Sequence, residues 1–600
     1  MTIVAGATGV PGNVGDTSMQ ARAPEVWAAQ AHREQPWDVE TDLVVVGAGA
    51  AGMTAALVGA LEGLEVVLCE KTDKVGGTTA FSAGSVWIPG SSLSWSVGRP
   101  DTVEAARTYL GALLGNHASD ARLDAYLRMG PLVLDDLEAR SSVRFTAPPV
   151  HPDYKALPGA AIGGRALAAV PFDGRKLGAD FDRLRPPRRE FTVLGGMMIG
   201  KADIDPLLHP FRSWKNLIHA FGMLARHGLD RIRFQRGTRL VMGNALAARL
   251  FYDVRRAGVD VRFEAVLRQL VVEDGRVIGL IVNVPGRTLC IRARKGVVLA
   301  TGGIGWSAEL RERLLPPPAR RFSLAPESNC GDGLCAAEAV GGEIVSDLES
   351  PALWMPSSVM RQPDGYLSVF PHIILDRAKP GLLAVDGSGR RFVNEADSYH
   401  DFVAAMLRAG GKASRVPSFL VCDRRFIAEY GLGLIHPGTR NLKRFCDAGY
   451  LIVADSIEEL ARKIGSEPGE LHATIERYNG YAETGVDEEF GRGASELNRF
   501  NGDPANKPNP CMRSLGRGPY YALAVWPSDL ASSAGLRTDE RGRVLRSDGE
   551  VLSGLYAAGN DAVSIFRGTY PGPGTMLGPA IVFGWCAAMD AAGALTAYRA

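Results

Sequence analysis

The stretch DLVVVGAGAAG (residues 42–52) is an unbroken apolar run ending in glycines, and MTAALVGALEGL and then EVVLCEK follow it directly. An apolar run without alternation suits a strand of a parallel sheet covered on both faces. Strand, glycine turn, apolar helix and second strand together make a βαβ unit. Gly47, Gly49 and Gly52 form GxGxxG at the strand–helix junction. The first glycine permits the tight turn, the second lets a pyrophosphate approach the backbone, and the third lets helix and strand pack closely. Ala50 and Ala51 sit between them, where the helix N-terminus turns its N–H groups and positive dipole end toward the phosphates. The second strand ends at Glu70, set to accept hydrogen bonds from an adenosine ribose, with Lys71 next to it.

Further along, KVGGTTAFSAGSVW (74–87) supplies the small and hydroxyl residues Gly76, Gly77, Thr78, Thr79, Ser82, Ala83 and Gly84. Such a loop can lie along an extended cofactor. Two more strand-to-glycine signals follow: ATGG with Thr301, Gly302 and Gly303, and YAAGN with Gly559 and Asn560. A nicotinamide enzyme has no need of a glycine turn near the C-terminus to close the same site, so the reading is FAD. The last apolar helix follows GTMLGP, so Thr575, Met576 and Leu577 open it where its N-terminus can stabilise negative charge in a reduced flavin ring. Val266, within VDVRFEAVLRQLVVEDGRVIGLIVN (259–283), is the remaining expected cofactor contact. That segment reads as strands with a hairpin at Asp274-Gly275.

The 600 residues exceed what one core organises, so two or more domains are expected. A net charge of +1 removes any global electrostatic case for nucleic acid. Eight scattered cysteines without a CxxC pair predict no metal site and read as reduced thiols of a cytoplasmic protein. Residues 1–38 are small and polar and read as a flexible leader. Residues 102–140 carry helical spacing, whereas 150–240 are irregular. Within the latter, 211–236 mixes Phe211, Trp214, Ile218 and Phe221 with Arg212, Lys215, Arg231 and Arg233. One reading is a helix on a membrane surface, giving a peripherally membrane-associated protein. The other, expected here, is a helix packing its apolar stripe on the core with a solvated basic face.

The blocks GGTTAFSAGSVWIPG, GRRFVNEADSY, SDLASSAGLRTDERGRVL, GLYAAGN and GTYPGPGTMLGPAIVFG resemble the fumarate reductase/succinate dehydrogenase flavoprotein superfamily. Within it they resemble the 3-ketosteroid Δ1-dehydrogenases, from about Asp42 to the C-terminus. The resemblance implies an α/β fold: a Rossmann-like FAD-binding domain built from both chain ends (39–345 and 531–600), with an inserted α+β substrate domain (346–530). SDLASSAG lacks the histidine, and Thr569-Tyr570 replaces the arginine, that clamp a dicarboxylate in fumarate reductases. GGTTAFSAG also lacks the histidine that carries covalent flavin in some relatives, so the FAD is expected to be noncovalent.

The same resemblance implies roles for four residues. Tyr570 and Gly574 of YPGPG would hold the ketone oxygen of a 3-ketosteroid, Tyr399 after the NE motif would remove a proton, and Tyr154 of the PDY segment would stand near the flavin. Oxidation of a C–C bond beside a ketone needs a proton from the α-carbon and a hydride from the β-carbon. The forming enolate needs donors, each worth about 2.7–4 kcal/mol in an oxyanion site. An unperturbed tyrosine titrates near pH ~10, so Tyr399 needs a neighbour that favours its anion. Electrons would leave to an artificial or quinone-type acceptor. A flavin dehydrogenase of the neighbouring Δ4 bond or of another cyclic ketone, and a fumarate-reductase-like enzyme, are the alternatives.

Overall fold

The computed structural model describes residues 36–373, 376–408 and 416–595. The expected leader lies outside them except for its last three residues. The described residues divide into two compact units: 36–314, 325–352 and 531–595 in one, and 315–324 with the described part of 353–530 in the other.

In the first unit, β1 (Val39–Val46) leads through α1 (Ala50–Leu61) into β2 (Val66–Cys69). The basic helix α2 (Trp214–Arg233) comes next, followed by β3 (Asp260–Arg262), β4 (Val266–Glu273), β5 (Arg276–Val284) and β6 (Arg287–Leu299). Near the C-terminus come β7 (Arg543–Leu545), β8 (Val551–Ala557) and α3 (Leu577–Ala591). The strands form one sheet in the order β3-β2-β1-β6-β5-β4, with β8 pairing β6 and β7 pairing β8. β1 is parallel to both β2 and β6, with Val45 opposite Leu68 and Val298. β8 runs parallel to the end of β6, Val297 opposite Leu555. Leu43, Val44 and Val45 are fully buried, as a centre strand covered on both faces requires.

β4 and β5 meet at the expected two-residue turn, where Asp274 (φ 49°) and Gly275 (φ 75°) are both left-handed. This double positive φ matches the right-handed twist of the strands, and Asp-Gly tolerates it. The helical spacing of 102–140 resolves into Val103–Leu114 and Ala121–Arg140. Against α1 lies α3, apolar on all sides and buried almost throughout. The two helices cross so closely that a Cβ on Gly584 would lie 2.5 Å from the Ala51 carbonyl oxygen.

Helix α2 overturns the expectation that its apolar stripe packs on the core. Its buried residues are Ala220, Met223, His227 and Asp230, while Trp214, Ile218, Phe221, Leu229 and Ile232 are exposed. The reason lies in its polar side chains, which find better partners inward. Asp230 accepts from the Thr238 N–H and hydroxyl, both at 2.8 Å, and Arg226 reaches Asp173 at 3.0 Å. Among the described residues no helix is long and apolar enough to cross a membrane.

The second unit is built on a sheet in the order Leu367–Pro371, Ala352–Arg361, Tyr520–Ser532, Ser418–Asp423, Leu382–Val385. Phe322–Ser323 pairs in parallel with Tyr520–Ser532, which draws 315–324 into this unit. Helices Ile457–Ile464 and Pro468–Thr484 cover one face through Leu460, Leu471, Ile475 and Tyr478. Beneath them Glu395 is fully buried between Arg391 and Arg492, at 2.9 and 3.0 Å, and also accepts from the Ala384 N–H at 3.0 Å. Burial alone would push this carboxyl up. The two guanidinia outweigh it and bring the group down to about 2.

A carboxylate depressed in the fold stabilises it above its ordinary range, near pH ~4.3, and loses that contribution as pH falls toward the folded value. The stability of this unit is therefore expected to decline between about pH 4.3 and about pH 2. Glu395→Gln leaves two buried cations without their shared partner and is expected to cost about 3–5 kcal/mol and flatten that decline. Chemical denaturation across this pH range measures both.

Candidate active site

The turn after β1 is held by its own backbone. The Gly47 N–H donates to the Cys69 carbonyl at 2.8 Å, and the Ala48 carbonyl accepts from the Gly76 N–H at 2.7 Å. Gly47 (φ 102°) faces the Ala300 carbonyl oxygen, which a Cβ would meet at 2.2 Å, and Gly52 faces the Gly47 oxygen at 1.9 Å. Those two glycines are closed by protein. Gly49 and Gly77 are open instead: a Cβ on either would meet nothing nearer than 3.9 and 3.7 Å. The Thr79 hydroxyl accepts the Ala50 N–H at 3.0 Å, which ties the 76–79 turn to the start of α1. Ser82 joins the loop end, accepting from the Gly84 N–H at 3.1 Å, and Ala83 beside it is exposed.

Glu70 is buried with both oxygens engaged, one by the Ala48 N–H at 3.0 Å and the other by the Thr72 N–H and hydroxyl at 2.9 Å. Its carbonyl accepts from Ala265, so Val266 begins β4 directly beside it. Lys71 turns to Asp332 at 2.8 Å. Arg185 donates to the Thr72 hydroxyl at 3.0 Å, and its buried Nε has no hydrogen-bond partner. Burial pushes this guanidinium down, countered by Glu70.

The glycine turns at 301–303 and 559–560 are joined by Asp561. Its fully buried carboxylate accepts from the Thr301 N–H (2.5 Å), the Thr301 hydroxyl (2.8 Å) and the Gly303 N–H (2.9 Å). Burial raises this carboxyl above the usual range despite those three donors. Asn329 donates to the Gly302 carbonyl and the Thr78 hydroxyl, both at 3.0 Å, so it links the 301–303 turn to the 76–79 turn. The Asn560 side chain also points to the Gly302 carbonyl, at 3.4 Å. Asp561, Asn329 and Arg185 were not expected from the sequence. The acid directly after YAAGN was the one available signal; Asn329 and Arg185 belong to no recognisable pattern.

Tyr570, Gly574 and Tyr154 come together in the first unit. The rings of Tyr154 and Tyr570 lie 5.2 Å apart, and the Tyr154 N–H donates to the Pro571 carbonyl at 2.9 Å. The Tyr109 hydroxyl donates to the same carbonyl at 2.7 Å. Gly574 (φ 96°) packs on β-strand residues Ser85 and Val86, where a Cβ would meet backbone at 2.6 Å, and its carbonyl accepts from Trp87 at 3.2 Å. Thr575 folds back on Gly572 at 2.6 Å, and Met576 and Leu577 then open α3.

The residue before Tyr154 is clamped. Asp153 accepts from Trp87 Nε1 at 2.8 Å and from Arg165 at 2.6 Å, and Arg165 also holds Asp101 at 2.7 Å. Trp87, fully buried, is thus part of this support. Arg567 donates to the Asp347 carbonyl at 2.6 Å. Tyr399 belongs to the second unit, where it is buried as the first residue of helix Tyr399–Leu407, capped by Ser398. Asn394, just before Glu395, fixes the approach by accepting from the Ala396 N–H at 2.9 Å.

These residues fit FAD. The two closed glycines and two open ones leave a backbone-lined face for a diphosphate, beside a buried acid for a ribose and an arginine with a spare N–H. Comparison with known proteins agrees. The FAD binding domain family matches residues 42–577. The 3-oxosteroid 1-dehydrogenase of Mycobacterium tuberculosis is 38% identical over 92% of this chain and 98% of its own length. The 4-oxocyclohex-2-ene-1-carboxylate 5-dehydrogenase of Sinomonas cyclohexanicum is 37% identical over 92% of this chain and 94% of its own. Among solved structures, the 3-ketosteroid delta1-dehydrogenase of Sterolibacterium denitrificans, in complex with 1,4-androstadiene-3,17-dione, has a TM-score of 0.85 and 34% identity, covering 92% of this chain and 99% of that one. The chain is a mixed α/β, FAD-dependent oxidoreductase, and it belongs to the FAD-binding flavoprotein family of the 3-oxosteroid 1-dehydrogenases.

Proposed function

We propose that the protein oxidises the bond between carbons 1 and 2 of a 3-ketosteroid. The observation that carries this reading is the Tyr570–Gly574 turn with the Tyr154 ring tilted against Tyr570 at 5.2 Å, in a chain 38% identical to a 3-oxosteroid 1-dehydrogenase. Noncovalently held FAD, in a Rossmann-like domain made from 39–345 and 531–600, supplies the hydride acceptor. The Tyr570 hydroxyl and the Gly574 N–H hold the ketone oxygen and stabilise the negative charge that develops there. Tyr399, in the inserted domain at 346–530, takes the proton from carbon 2. It stands at the N-terminal end of a helix of 9 residues, whose positive dipole end favours an anion. Tyr154 tunes the ring environment of Tyr570. The cofactor contacts are those at 47–52, 70–71, 76–84, 266, 301–303, 559–560 and 575–577, with Asp561 holding two of these turns together. Electrons leave to a quinone-type acceptor, and the protein works in the cytoplasm in peripheral contact with a membrane through 211–236.

A second reading has one specific observation behind it: the 37% identity to a dehydrogenase of a cyclohexenone carboxylate. The same tyrosine–glycine pair would serve any cyclic ketone. Arg567, the arginine nearest to the Thr569-Tyr570 position, is turned to a backbone carbonyl, which leaves fumarate the weakest alternative.

Anaerobic titration of the purified holoenzyme with androstenedione is expected to bleach the flavin absorbance, and 4-oxocyclohex-2-ene-1-carboxylate is expected not to. The reverse pattern would hand the site to the second reading. Tyr570→Phe should keep the yellow colour yet lose about 10²–10³-fold in turnover, measured with an artificial electron acceptor. Asp561→Asn turns an amide toward three N–H and O–H donors, and is expected to weaken FAD retention about tenfold or more in a gel-filtration or fluorescence assay.

A further inference from the structure

Helix α2 is amphipathic the wrong way round. Trp214, Ile218, Phe221, Ala225, Leu229 and Ile232 recur at spacings of three and four and so share one face. That face is turned to solvent: Trp214 is 79% exposed, Ile218 69%, Phe221 71%, Leu229 69% and Ile232 77%. Phe211, just before the helix, is 89% exposed. The opposite face carries the polar groups and binds the body of the unit. His219 meets Asp203 at 2.8 Å, Asn216 donates to the His209 carbonyl at 3.1 Å, and His227 meets the Leu194 carbonyl at 3.0 Å. Asp230 and Arg226 add the bonds described above. Rolling the helix to hide its apolar stripe would break all of these, so the exposure is built into the docking and is not a loose end.

The helix has 20 residues, and the stripe extends for about 27 Å along it at 1.5 Å per residue. A continuous exposed apolar face of this kind marks an interaction surface. The charges around it say which. Arg212, Lys215, Arg231 and Arg233 are all exposed on this segment and border the stripe. Its acids turn away: Asp203 and Asp230 are buried under the helix, and the exposed Asp205 is already paired with Arg212 at 3.5 Å. A second copy docking here would bring two sets of cations together without an acid to meet them. An anionic surface with an apolar interior satisfies both features at once.

We infer that α2 lies in the headgroup layer of an anionic lipid bilayer, with Trp214, Ile218, Phe221, Leu229 and Ile232 sunk among the acyl chains. The long stems of Lys215, Arg231 and Arg233 flank them and carry their charges up to the phosphates. This inference gives a lipid chemistry and named residues to the peripheral contact in the preceding reading, and it rests on that part of it.

The test is co-sedimentation of the FAD-loaded full chain with vesicles of phosphatidylcholine mixed with phosphatidylglycerol, and with vesicles of phosphatidylcholine alone. The wild-type protein is expected to pellet with the mixed vesicles, less with the neutral ones, and less again as salt is raised. Ile218→Glu/Phe221→Glu should lower the bound fraction about tenfold or more while keeping the flavin spectrum and substrate-dependent bleaching. Arg231→Gln/Arg233→Gln should remove the preference for the anionic vesicles. Absence of wild-type binding, or equal binding by the glutamate variant, would overturn the inference. So would a dimer in sedimentation velocity that the glutamate variant splits, which would assign the face to a second copy. Vesicle binding without bleaching by any 3-ketosteroid would support the lipid surface and count against the substrate reading alone.

Discussion

Three donors on one buried carboxylate hold the cofactor side of this molecule together. Asp561 follows the last glycine turn, and its oxygens are shared by Thr301 and Gly303 of another turn more than 250 positions earlier. A bare carboxylate in that position is costly to bury unless its lone pairs are filled. Here they are filled by backbone N–H groups that would themselves be orphaned without it. β8 can then settle beside β6 in parallel, and α3 against α1, because the turn that connects them is pinned at this point. Asn329 extends the same logic to the loop at 76–79.

Much of this could be read in advance, for a physical reason. A parallel centre strand, a GxGxxG turn and an Asp-Gly hairpin are local: the residues that need a positive φ or a close approach are neighbours in sequence. Gly47, Gly52 and Gly275 therefore announce themselves. Asp561, Asn329 and Arg185 do not, because each acts on residues far away and none needs an unusual neighbour. Helix α2 misled for a related reason. Its spacing gave the amphipathic pattern correctly, but periodicity carries no sign. Which face turns inward was decided by Asp203, Asp173 and Thr238, which lie outside the helix.

The RRFVNE block had value in the sequence mainly as a marker for Tyr399. In the structure it is a knot of buried charge. Glu395 is held by two arginines, Arg391 also grips Asp487 at 2.9 Å, and Arg492 donates to the carbonyls of Leu382, Arg377 and Lys379. Such groups buy little net stability over apolar packing, yet they accept only one arrangement. The turn that leads into helix Tyr399–Leu407 inherits that definition.

The clamp on Asp153 has a further implication for how relatives of this protein can diverge. Both oxygens of Asp153 are occupied, Arg165 spends its donors on Asp153, Asp101 and the Gly159 carbonyl, and Gly159 itself packs tightly against the Ala105 carbonyl. Between these fixed points, Ala156 and Pro158 are exposed. Leu157 between them packs on the core and accepts from the Ala160 N–H at 3.0 Å. Side-chain changes at Ala156 and Pro158 can therefore accumulate without disturbing the tyrosine pair, because the loop is tied down on either side of each of them.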